Sequence, residues 1–110
     1  MIFKIHVIDK LQFSYEIQQT ATFRKWLKKL KDKRSRTIIV QRLVRLQDGL
    51  FGDTKSVGDG VGELRFHLGP GYRIYYTIRE SVIILLLCGG DKSTQSEDIA
   101  LAKRLAKEIE

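Results

Sequence analysis

Cysteine is almost absent from this 110-residue chain, where Cys88 stands alone. One thiol closes no internal disulfide and builds no cysteine-cluster metal site, so a reducing compartment, the cytoplasm, is expected. Proline is equally scarce: Pro70 is the only one, and neither a Pro/Ser-rich linker nor an internal repeat divides the chain. The length suits one hydrophobic core and is short for two. Long apolar runs are missing. The longest, Val82 to Cys88, has seven residues, whereas a membrane-spanning helix needs about 20. The opening MIFKIHVIDK lacks the charged region, long apolar stretch and small-residue cleavage site of a secretory signal. Acidic residues are few, 13 against 20 Lys and Arg, leaving a formal net charge of +7. That surplus points to a polyanionic partner without choosing among nucleic acid, acidic protein and lipid.

What is present is globular: 43% hydrophobic and 30% charged residues are too apolar for a disordered chain. Residues 2–8 and 12–19 read as strands by β-branched and aromatic content, separated by Asp9-Lys10. A helix is expected after Thr20, its N-cap, with Phe23, Trp26, Leu27 and Leu30 forming one apolar stripe. The turn Asp32-Lys33-Arg34-Ser35 breaks that pattern, and a second helix follows. Ile39, Leu43, Leu46 and Leu50 line its inner face, widened by Val40 and Val44, while Arg36, Arg42 and Arg45 face outward. Asp48-Gly49 supplies the stop.

The glycine- and aspartate-rich stretch from Leu50 to Gly62 reads as a loop. Two alternating segments, Glu63–Leu68 and Tyr72–Arg79, flank Gly69-Pro70-Gly71 and predict a hairpin. Val82–Cys88, apolar on both faces, is expected inside the sheet. After GGDKST a last helix should run to Glu110, with Thr94 or Ser96 as its cap and Ile99, Ala102, Ala106 and Ile109 on one side. Glu97 and Asp98 sit favourably at its positive end. The predicted order is β-α-α-β-β-β-α: an α+β domain with a largely antiparallel sheet, a helical hairpin and a C-terminal helix.

Alternation groups the residues that carry chemistry. Leu64, Phe66 and Leu68 point one way; Glu63, Arg65 and His67 point the other. In the partner strand, Arg73, Tyr75, Thr77 and Arg79 match the polar side. Glu63, Arg65, Arg73 and Tyr75 are therefore expected on one open sheet surface, with Lys92 at its rim and Lys55 closing the other side. Such a surface suits RNA cleavage by its own 2′-hydroxyl. Arginine forks match phosphate oxygens, and Glu63 offers a base whose pKa neighbouring cations lower and burial raises. Tyr75 offers a ring for base stacking. The same pattern also describes a plain cross-strand ion pair between Glu63 and Arg73.

Ten of the twenty basic residues lie between Arg24 and Arg45, a face that is either solvated or bound to a polyanion. Trp26 and Cys88 read as core residues. His6 and His67 lack a third ligand, so no metal is expected. Strand, GGDKST and helix superficially suggest a phosphate-binding P-loop, but that motif needs glycines where Asp91 and Leu86 stand. Nucleotide hydrolysis is thereby excluded.

The run Gly58-Asp59-Gly60-Val61-Gly62-Glu63-Leu64-Arg65, then Gly69-Pro70-Gly71-Tyr72-Arg73-Ile74-Tyr75-Tyr76, then Leu86-Leu87-Cys88-Gly89-Gly90-Asp91-Lys92 with Gln95 and Asp98-Ile99, resembles the RelE/ParE toxin superfamily. Within it, the sequence looks most like the HigB-like addiction-module killer proteins. The resemblance covers residues 15–110 and leaves 1–14 as an N-terminal extension or extra edge strand. It implies the toxin of a type II toxin–antitoxin system, a metal- and cofactor-free endoribonuclease that cuts messenger RNA held on the ribosome. By motif position, the catalytic set falls on Glu63, Arg65, Arg73 and Lys92. Lys55, Tyr75, Gln95, Lys28, Lys29 and Arg36 are then expected to bind RNA, although the basic hairpin also suits an acidic antitoxin segment. The implied partner is a helix-turn-helix antitoxin through which operator DNA is reached; no membrane is involved. The general acid of some relatives has no counterpart here, since Gln95 and Asp98 stand nearby. A second implication of the same superfamily is a non-catalytic, ParE-like inhibitor of DNA gyrase, which retention of Arg65, Arg73 and Lys92 disfavours.

Overall fold

The computed structural model describes residues 14–109, so the strand expected at 2–8 lies outside the described residues. Strand β1 (Glu16–Gln19) leads directly into helix α1 (Ala21–Lys29). Thr20 joins the two. Its Oγ1 accepts from the Phe23 amide at 3.0 Å, capping α1, and donates to the Leu87 carbonyl at 2.6 Å. Helix α2 (Lys33–Leu46) begins earlier than its sequence suggests. Asp32 caps it, accepting from the Ser35 amide at 3.1 Å and hydroxyl at 2.6 Å, so Lys33 to Ser35 are helical rather than a turn. Its buried stripe is narrower than expected: Ile39 and Leu46 are inside, whereas Val44 and Leu50 are 59% and 60% exposed.

The expected loop contains a strand. β2 (Thr54–Gly58) pairs antiparallel with β3 (Val61–Arg65) across Asp59 and Gly60, both at positive φ (55° and 75°). This is the hairpin geometry for which Asp-Gly is suited. β4 (Arg73–Arg79) and β5 (Ile83–Gly90) complete a sheet of order β1-β5-β4-β3-β2. Among the described residues, β1, beside β5, is the one strand parallel to its neighbour. A 3₁₀ turn (Lys92–Thr94) opens helix α3 (Gln95–Glu108). Asp91 holds that turn, accepting from the Ser93 amide at 2.8 Å. Thr94 stands at the N-cap of α3, but its hydroxyl donates to Asp98 Oδ2 at 2.6 Å instead of capping. Among the described residues, no helix is long and apolar enough to cross a membrane.

The sheet is covered on both faces. Phe23, Ile39 and Leu46 from the helical hairpin pack on Leu64, Phe66, Ile74, Tyr76, Ile84 and Leu86. On the opposite face, Ile99, Ala102 and Leu105 of α3 cover Val61, Tyr75, Leu85, Leu87 and Cys88. The surface expected to be open is therefore closed by α3 over much of its area. A bulge in β5 arranges this: Tyr75 pairs with Cys88 and Tyr76 with Leu86, leaving Leu87 as the extra residue. Leu87 and Cys88 both face α3, after which alternation resumes with Gly89 under the Trp26 ring and Gly90 under Asp98. Burial raises the Cys88 thiol pKa to about 12, which leaves it an inert core group.

Candidate nucleic-acid interface

The connection from β3 to β4 and the end of β5 lie side by side. Arg65 stands opposite Arg73, Arg73 opposite Gly90, and Lys92 follows two residues later. Between the two strands, Phe66 N–H donates to the Tyr72 carbonyl at 3.0 Å and Gly71 N–H to that of Leu68 at 3.1 Å. Gly71 has φ 80°, and a Cβ there would stand 3.2 Å from the Lys92 side chain. Glycine thus lets Lys92 lie against the turn. The result is a cleft of about 750 Å³ lined by Arg65, His67, Gly69, Pro70, Arg73 and Lys92, among others.

Each cation is held differently. Arg65 donates to Asp53 Oδ1 through Nη2 at 2.9 Å and Nε at 3.3 Å. The other oxygen of Asp53 receives His67 Nε2 at 2.5 Å. His67 first, then Arg65, hold the Asp53 carboxyl pKa below its ordinary range. Arg73 is nearly buried, with Nη1 donating to the Gly71 and Tyr72 carbonyls at 3.3 Å. Lys92 is exposed.

Below Arg73 lies a buried carboxylate. Glu63 is 0% exposed; its Oε1 is 4.0 Å from Arg73 Nε, and neither atom has a hydrogen-bond partner. Glu63 Oε2 accepts from the Tyr75 hydroxyl at 3.0 Å and from Gln95 Nε2 at 2.8 Å. Burial, and then the bond to Glu63, push the Tyr75 pKa well above the usual phenol range.

Four sequence expectations change accordingly. Glu63, expected as a base on an open face, is sealed under Tyr75 and Gln95 and does not line the cleft. Tyr75, expected to stack on a base, is 0% exposed and presents no ring surface. Gln95 turns its amide inward to Glu63 rather than outward. Lys55 pairs in register with Glu63 but lines a separate surface pocket with Ser56, Gly62 and Tyr76. For Glu63, Tyr75 and Gln95 the physical cause is shared, since α3 docks over this face and removes it from water; Lys55 stays exposed. Lys28 and Lys29 are exposed at the end of α1 and Arg36 is half-buried on α2; none of them lines the cleft.

Sequence reasoning missed two features. Arg42, expected to face outward, reaches across to the β2–β3 hairpin. Its Nη2 donates to the carbonyls of Phe51 at 2.8 Å and Asp53 at 2.7 Å, and its Nη1 donates to that of Arg65. Its guanidinium also lies 4.4 Å over the Phe66 ring. Asp53 was absent from every motif; the signal available was His67, two residues beyond Arg65 and so on the same side of the chain.

An α+β sheet domain with a helical hairpin on one face, a single helix on the other and a cationic cleft at the sheet's end has the RelE/ParE-type toxin fold. Solved structures bear this out. A free-state variant of the E. coli toxin RelE with two arginines replaced by alanine superposes with TM-score 0.68 at 21% identity, covering 83% of this chain and 96% of that one. The RelBE2 toxin–antitoxin complex of Mycobacterium tuberculosis matches with TM-score 0.58 at 23% identity, covering 72% and 99%. Residues 25–107 match the family described as phage derived protein Gp49-like (DUF891), and the chain belongs to that family. An uncharacterised protein of Haemophilus influenzae is 53% identical over 94 residues, 86% of this chain and 95% of its own length.

Proposed function

We propose that this protein is the toxin of a type II toxin–antitoxin pair, of the HigB-like branch, and that it cleaves translated messenger RNA on the ribosome without a metal. The observation that carries the reading is the convergence of Arg65, Arg73 and Lys92 on one cleft. As a 2′-hydroxyl attacks phosphorus, negative charge grows on the non-bridging oxygens, and fixed cations aimed there lower the barrier. Arginine donates two parallel hydrogen bonds to such a group; lysine adds a mobile point charge. Glu63 serves Arg73: a carboxylate 4.0 Å beneath a nearly buried guanidinium offsets its charge and holds it in place. Lys28, Lys29 and Arg36 add positive charge on the helical hairpin, where it attracts ribosomal RNA or an acidic antitoxin segment. The partner that restrains the toxin is a helix-turn-helix antitoxin, in keeping with a similarly folded protein's occurrence in a toxin–antitoxin complex. It is this antitoxin that contacts operator DNA. Work on cytoplasmic ribosomes fits the single, inert thiol.

Tightly controlled expression followed by mapping of cellular RNA ends tests the reading. New ends inside translated messages, appearing with growth arrest, are expected; arrest without such ends overturns it.

A further inference from the structure

We propose that His67 is the base that takes the 2′-hydroxyl proton in this cleft, with Asp53 orienting its ring; the inference rests on the nuclease reading above. Glu63 is sealed off from the cleft, so the reaction needs another proton acceptor. His67 lines the cleft beside Arg65, Arg73 and Lys92 and is 74% exposed. Its Nε2 is 2.5 Å from Asp53 Oδ2. An ionised carboxylate only accepts hydrogen bonds, so Nε2 carries a hydrogen, and in the neutral ring the free lone pair is on Nδ1. Among the described residues, Nδ1 has no hydrogen-bond partner. Asp53 is itself fixed by Arg65 at 2.9 Å, so the ring is positioned by a residue already tied to the phosphate-binding cations. The charged groups facing it are Asp53 from the segment before β2, Arg65 at the end of β3, Arg73 of β4 and Lys92 after β5. The Asp53 carboxylate offsets the positive charge the ring gains, and a bound phosphate offsets that of the three cations.

The step balances without a co-reactant other than water. Nδ1 takes the proton as the O2′–P bond forms; the P–O5′ bond breaks with its electron pair going to O5′. Water protonates that oxygen, and the imidazolium returns its proton to the hydroxide so formed. The products are a 2′,3′-cyclic phosphate and a 5′-hydroxyl end.

The test is single-turnover cleavage of a ribosome-bound message by the purified full chain. His67→Gln should cleave about 100-fold or more slowly, bind the message–ribosome complex as before, and lose the rise of rate with pH. His67→Ala should regain rate on addition of imidazole, which an exposed position admits. Cleavage by His67→Gln within threefold of the unsubstituted protein overturns the assignment and leaves the nuclease reading standing. A slow His67→Ala that imidazole does not restore also overturns it, the role then being structural. If the unsubstituted protein cuts no message, the nuclease reading fails and His67 falls with it.

Discussion

Glu63 and Arg73 meet beneath the cleft, and the cost of separating them sets the first expectation. Removing one member of a buried pair leaves the other charge uncompensated and costs about 3–5 kcal/mol. Glu63→Ala should therefore lose about that much in urea unfolding, whereas Glu63→Gln, which preserves shape and an acceptor for Tyr75, should lose less. Asp53 gives a pH expectation whose sign follows from its environment. Its folded pKa lies below the ordinary value of 3.8 because His67 and Arg65 favour the ionised form. Its contribution is thus present above that value and fades as the pH falls through the lowered one. Unfolding midpoints measured from neutral pH into this acid window should fall more steeply for the unsubstituted protein than for Asp53→Asn.

Between elements, contacts depend on what a glycine leaves empty. Gly62 of β3 lies opposite Tyr76 of β4, whose ring occupies the space a Cβ would need, while the Tyr76 hydroxyl meets Thr54 Oγ1 of β2 at 2.9 Å. Gly62→Ala should cost about 1–3 kcal/mol through forced displacement of that ring, measured by thermal or chemical unfolding. The elements themselves were readable where the information is local. Thr20 as a cap, the apolar run of β5 and the alternation of β3 and β4 all follow from side chains close in sequence. β2 escaped notice because Thr54-Lys55-Ser56 is an edge segment with little apolar alternation, although Asp59-Gly60 beside it is a hairpin signal. The covering of Tyr75 and Glu63 was illegible for a different reason: a strand's periodicity says which residues share a face, not which helix lands on it. Arg42 sits on a helix, and its distant carbonyl partners decide its direction. Of the site, alternation alone grouped Arg65, Arg73 and His67; the depth of Glu63 required the docked position of α3.

At the scale of the whole molecule, the proposed RNA binding by a chain of net charge +7 should depend on salt. Each phosphate neutralised on a single strand contributes about 0.7 to the slope of log affinity against log salt. Lys92 is exposed and free of the buried pair, so Lys92→Ala should flatten that slope by about 0.7 while leaving the melting temperature nearly unchanged. Titrations of a short single-stranded RNA at several salt concentrations check this. The placing of β1 has a consequence for synthesis. Its parallel partner is β5, and the hydroxyl that starts α1 also bonds to Leu87, 67 residues further along. Pairings this far apart form late, since the intervening loop must close first. The N-terminal part of a nascent chain thus waits for the last strand to emerge from the exit tunnel. A polypeptide interrupted before that point has neither a finished sheet nor Lys92.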